Sequence, residues 1–76
     1  MDFTKPINLS KHFRNTWMRK WNWDMNYLRS ALTETYKIDK VGNNKYEAYT
    51  KKGGKNRKII FTIINDEIFI ITGAER

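Results

Sequence analysis

The chain has no cysteine, which removes disulfides, thiolate metal sites and cysteine nucleophiles at once. It has one histidine, too few for the usual His-rich or Cys-rich zinc centre. No apolar run approaches the ~18 residues of a membrane-crossing helix. The opening MDFTKPINLS lacks the basic flank and apolar core of a signal peptide. The expectation is a cytoplasmic protein with no metal and no other cofactor, outside the membrane. No internal repeat or linker is visible, and 76 residues make one domain, 1–76.

So short a chain buries about 60% of its unfolded surface, enough for one tight core. Three Trp, four Tyr and four Phe help, since each large ring can bury on the order of 150–250 Å². Fifteen Lys and Arg stand against eight Asp and Glu, a formal charge of +7. A field of that sign on a small surface attracts polyanions, and nucleic acid is the first candidate.

Residues 1–9 read as an N-terminal arm. Ser10 is a good N-cap, and Phe13, Trp17 and Trp21 then fall four apart as a stripe down one helix. Asn22 or Asp24 then restarts the chain, and Met25, Leu28, Ala31, Leu32 and Thr35 carry a second helix from about Asp24 to Thr35, so 10–35 is a helical hairpin. After that the period changes to that of strands. YKIDKV and KYEAYT are separated by GNN, then RKIIFTII and EIFIIT are joined tightly across Asn65–Asp66. Segment 36–76 is therefore an antiparallel sheet, and the fold class is α+β: two N-terminal helices packed on a four-stranded antiparallel β-sheet. The last strand is expected to end at Thr72, with Gly73 releasing the backbone into a charged tail.

The final two strands are apolar at both parities, Ile59, Phe61 and Ile63 against Ile60 and Ile64. Two helices cover one face only. The other must be hidden by the arm around Phe3 and Ile7 or by another chain, including a second copy.

The stretch SKHFRNTWMRKWNW holds the only histidine and every tryptophan. On a helix His12, Thr16 and Arg19 line one side, away from the aromatic stripe. An imidazole near guanidinium groups suits phosphodiester chemistry, although a lone histidine near a helix start also serves as a plain surface or capping residue. Trp23, at the helix junction, is open to core packing or to exposed stacking. KKGGKNRK supplies Lys51, Lys52, Lys55, Arg57 and Lys58 around two glycines. It joins two strands and lacks a P-loop's pattern. Its use is contact with backbone phosphates, or simply keeping a sheet edge soluble. Tyr46 and Tyr49 fall on opposite faces of their strand, one for the core and one free to stack on a base.

The helix HFRNTWMR, the second helix YLRSAL and the run VGNNKYEAYTKKGGKNRKIIFTIINDEIFIITGAE resemble the small toxins of the RelE/ParE superfamily, nearest the BrnT-like branch. The resemblance covers about residues 10 to 75. It implies a helical hairpin on an antiparallel sheet, metal-independent cleavage of RNA, and a cognate antitoxin over the basic groove. It assigns His12 as acid/base, Arg19 as phosphate clamp and Glu75 as second acid/base or orienter. By charge and position, with no motif of that family behind them, Arg14, Arg57 and Lys58 would support them as cations. The leading expectation is a toxin-like RNA-binding endoribonuclease. The alternatives are a non-catalytic nucleic-acid-binding or regulatory module, and an interaction domain using its open sheet face.

Overall fold

The computed structural model describes residues 2–75; Met1 and Arg76, the outer ends of the expected arm and sheet, lie outside them. Five strands form one sheet: β1 (Ile7–Leu9), β2 (Lys37–Gly42), β3 (Lys45–Thr50), β4 (Arg57–Ile64) and β5 (Glu67–Glu75), in the order β1-β5-β4-β3-β2. Strands β2 to β5 pair antiparallel, while β1 runs parallel to β5 with Ile7 opposite Ile68 and Leu9 opposite Ile70. The α+β class holds, but the expected four antiparallel strands become five in a mixed sheet, and the helices are preceded by a strand. Pro6 accepts from the Ile68 N–H at 2.9 Å and the Ser10 N–H donates to Ile70 at 3.0 Å. Three residues beside a proline are too short for a strand period to show in sequence.

The first helix starts as expected, with the Phe13 N–H donating to Ser10 Oγ at 3.0 Å. It then winds as a π-helix over Phe13–Met18 before finishing as α1 (Arg19–Trp21). A looser turn changes which residues face inward. Phe13, Met18 and Trp21 are buried, and Trp17 is only half-buried. Phe13 and Trp21 of the expected stripe are core, while Trp17 packs against it only at the edge and Met18 takes an inward place that four-residue spacing does not give it. Asn22, left-handed at φ 57°, ends the helix. Asp24 then caps α2 (Met25–Thr33) by accepting from the Tyr27 N–H at 2.8 Å, and Leu28, Ala31 and Leu32 are fully buried beneath it.

The turn between β4 and β5 has both Asn65 (φ 51°) and Asp66 (φ 63°) left-handed, the geometry that matches the twist of a two-residue hairpin. On the helix-facing side of the sheet lie Ile59, Phe61, Ala48, Ile68 and Ile70, all fully buried. Tyr46 stacks on Phe61 there, 5.4 Å between centroids. Phe3 meets the same ring edge-on at 5.8 Å, and Arg29 donates to the carbonyls of Phe3 and Lys5. The arm therefore packs on the face the helices already cover and extends the sheet edge. It does not hide the second face. That face, with Ile60, Thr62, Phe69 and the exposed Ile64, stays open. Tyr49 is closed over on it, its hydroxyl donating to Glu47 at 2.9 Å and Lys37 lying 5.5 Å from its ring. Neither Tyr46 nor Tyr49 is left as a bare stacking platform.

Candidate nucleic-acid interface

Strand register gathers three chain segments at one end of the sheet. Thr50 pairs with Arg57, and Arg57 pairs with Glu75, so β3 ends, β4 begins and β5 ends together. Contrary to the expected stop at Thr72, β5 continues to Glu75. At Gly73 the missing side chain lets Phe13 and Trp21 lie on the strand, which carries the end of the first helix to the same place. The loop after β3, including a short 3₁₀ turn at Lys52–Gly54, completes this basic end.

Four rings run across it. Successive centroids of Trp17, Trp21, Trp23 and Tyr27 are 5.3, 4.8 and 5.0 Å apart, the spacing of attractive aromatic pairs. Trp23 is buried in this row, which settles it as packing. Cations cover the row: Lys20 lies 5.4 Å from the Trp17 ring and Lys52 5.1 Å from the Tyr27 ring. Arg57 sits between two indoles, its guanidinium carbon 5.0 Å from Trp21 and 5.3 Å from Trp23. It is 8% exposed, and among the described residues its side chain makes no hydrogen bond or ion pair, its buried Nε included. Desolvating a cation costs on the order of several kcal/mol, and each of the two desolvated cation–π contacts returns about 2 kcal/mol. The aromatic sandwich offsets part of that cost but supplies no hydrogen-bond acceptor for the guanidinium.

Glu75 is the nearest acid in register, but its ion pair is with Lys20, at 2.7 Å. The Lys20 ammonium, by hydrogen bond and charge, holds the Glu75 carboxyl below its ordinary range against the opposing effect of desolvation, and the nearby Trp21 N–H and Arg57 charge add to the lowering. Glu34 is likewise held low, by Lys52 at 2.9 Å and by the Ser30 hydroxyl. Lys51 reaches over the Tyr36 ring at 5.3 Å, and Lys55 is exposed with no partner among the described residues.

Of the residues singled out in the sequence, Lys51, Lys52, Lys55 and Arg57 come together here with Glu75. Lys58 is adjacent but points to the open face, 3.6 Å from Glu47. Arg14 is elsewhere, lining a cavity of about 550 Å³ with Ile7, Leu9, Met18, Asp24 and Met25. His12 and Arg19 are exposed on the first helix, and no hydrogen bond or ion pair joins His12, Arg19 and Glu75 to one another. Sequence reasoning missed the sandwich of Arg57 by Trp21 and Trp23. Its only trace there was a W-x-W pair at a helix junction and an arginine opening an apolar strand.

Among the described residues no group of three or more His, Cys, Asp or Glu is placed to hold a metal, and no helix is long and apolar enough to cross a membrane. No protein-family model matches the chain, and no curated protein or solved structure is significantly similar to it.

Proposed function

We propose that this protein binds single-stranded nucleic acid, RNA in the first instance, through the basic end of its sheet. The observation that carries the reading is Arg57, a buried cation without an ion-pair partner among the described residues, set in a row of aromatic rings that Lys20 and Lys52 also cover, beside the loop that carries Lys51 and Lys55. Phosphates answer the uncompensated charge, and half-buried rings such as Trp17 and Tyr27 offer edges against which bases can pack. Titration against a labelled single-stranded RNA tests it. About five phosphate contacts would weaken binding roughly 10²-fold between 50 and 200 mM salt, and a flat salt response would remove the reading.

Cleavage of that RNA, which the resemblance to RelE/ParE toxins implies, asks more. His12, Arg19 and Glu75 would have to converge on one phosphate, and in the free protein Glu75 is engaged by Lys20. Incubation of RNA with the protein in EDTA, followed by sizing of the products, separates binding from metal-independent cleavage. A cognate antitoxin over the basic end belongs to the same proposal.

A second reading rests on the open sheet face, where Ile60, Phe69 and Ile64 lie uncovered by helix or arm. It makes that face a surface for a second copy, and light scattering giving a monomer mass at high concentration would remove it.

A further inference from the structure

Among the described residues, two buried hydrogen-bond donors at the basic end have no acceptor within hydrogen-bond distance: Arg57 Nε and the Trp21 indole N–H. They belong to touching side chains, the guanidinium carbon lying 5.0 Å from the Trp21 ring. More than nine-tenths of Arg57 is shielded from solvent, so bulk water does not stand in freely for the missing partner. Buried donors in native proteins are almost always satisfied, and an unsatisfied pair side by side calls for a reason.

The nearest carboxylate engages them only weakly: the Trp21 N–H helps hold the Glu75 carboxyl low without closing to hydrogen-bond distance, and Arg57 acts on it through charge alone. Glu75 lies opposite Arg57 in the β4–β5 register, yet its ion pair is with Lys20 on the rim, and neither Arg57 nor the indole makes a hydrogen bond of normal length to it. The other wall is open for want of a side chain. A Cβ on Gly53 would stand 3.2 Å from the Tyr27 hydroxyl and 4.0 Å from Arg57 Nη1, and the φ of 75° disfavours one.

We infer that Arg57 and the Trp21 indole N–H form a phosphate subsite, which takes the oxygens of one phosphate group of the bound strand while Glu75 gives way to it. This rests on the nucleic-acid reading above and adds to it the atoms that hold the anion. A guanidinium offers several N–H groups in a fixed fork that matches phosphate oxygens, and the indole N–H extends the fork by one donor. Stacking between Trp21 and Trp23 fixes the plane of that fork, so the donors are set before the ligand arrives. Lys20 draws the Glu75 carboxylate aside and leaves the approach positively charged. Because the fork is enclosed by two indoles, it admits one phosphate and not a length of backbone.

The test follows the Trp21 indole ¹H–¹⁵N resonance as inorganic phosphate is added, with sodium chloride at equal ionic strength as the control. Saturable movement with phosphate and little with chloride is expected. Glu75→Gln, which removes the internal competitor, should tighten phosphate, and Arg57→Lys, which keeps the charge but loses the fork, should weaken it about tenfold or more. Two further titrations use single-stranded RNA with a 5′-phosphate and with a 5′-hydroxyl. Movement with the first alone identifies a terminal phosphate as the ligand; movement with both identifies an internal diester. Equal shifts with chloride and phosphate would overturn the subsite, as would unchanged phosphate affinity in Glu75→Gln. A fixed Trp21 resonance with RNA binding still salt-dependent would overturn the subsite and leave the nucleic-acid reading standing. Loss of both would end the two together.

Discussion

Gly73 lies directly beneath Trp21: a Cβ built on it would fall 2.8 Å from the indole Cη2 and 3.2 Å from Phe13 Cε1. The strand and the first helix approach as closely as they do because this residue has no side chain. Its φ is not among the left-handed ones, so the constraint is steric and not conformational. Gly73→Ala should cost about 1–3 kcal/mol, as overpacking of a filled core does, and move the urea midpoint down. It should also disturb the Arg57 sandwich, since Trp21 is the ring that must shift. A midpoint within error of the parent would mean that the helix rides higher on the sheet than described.

The π-helical turn separates two aromatic residues that a simple stripe would treat alike. Phe13 is fully buried, edge-on to Trp21 at 6.1 Å. Trp17 is half-buried and donates from Nε1 to the Thr72 hydroxyl at 3.2 Å. Phe13→Ala should therefore remove about 3–5 kcal/mol, a large share of what a domain of this size possesses. Trp17→Ala should cost distinctly less and leave a cooperative unfolding transition. Equal losses in urea melts would restore an ordinary α-helical phase.

Acid should destabilise the protein in a narrow window. Glu75 and Glu34 both have carboxyls held below the ordinary value of 4.5, by Lys20 and by Lys52 respectively. A carboxyl lowered in the folded state gives its full stabilisation above the unfolded value and loses it as pH falls through the folded one. The urea midpoint should be insensitive to these two groups above about pH 5 and decline below 4.5. Lys20→Gln should remove the part due to Glu75, and Lys52→Gln the part due to Glu34. A decline unchanged in both variants would assign it to other carboxylates.

What the sequence made legible were features set by local chemistry. Ser10 and Asp24 announce helix starts, Asn65–Asp66 a hairpin, and RKIIFTII a central strand, because capping, left-handed turns and apolar runs are decided within a few residues. The clustering of Lys51, Lys52, Lys55 and Arg57 came for the same reason, being one loop. Three things depended on distant partners and were not legible. Strand β1 exists through its parallel pairing with residues about sixty positions away. The π turn is fixed by burying Met18 with Phe13 and Trp21 together. The burial of Arg57 follows from Gly73, which lets Trp21 come down beside it. His12 shows the opposite limit: its neighbours in sequence gave it a chemical setting, and the fold leaves it exposed without a partner.

That contrast yields the sharpest comparison among surface variants. Lys51, Lys55 and Arg19 are exposed and make no ion pair among the described residues, so replacing any of them should change stability by no more than about 0.5 kcal/mol. Each of Lys51→Gln and Lys55→Gln should weaken single-stranded RNA binding and lower the slope of log K against log salt by about 0.7, the share of one phosphate contact. Lys40→Gln is the matched control, since Lys40 is exposed near the opposite, hairpin end of the sheet, and it should leave the slope unchanged. His12→Ala should keep both stability and slope. If RNA is cut by the parent and not by His12→Ala, the histidine is a catalytic group and the protein an endoribonuclease. If the parent leaves RNA whole while the two loop lysines change the slope, the basic end binds without cutting. Equal slopes in Lys40→Gln and Lys55→Gln would show that net charge alone, and not this end of the sheet, attracts the strand.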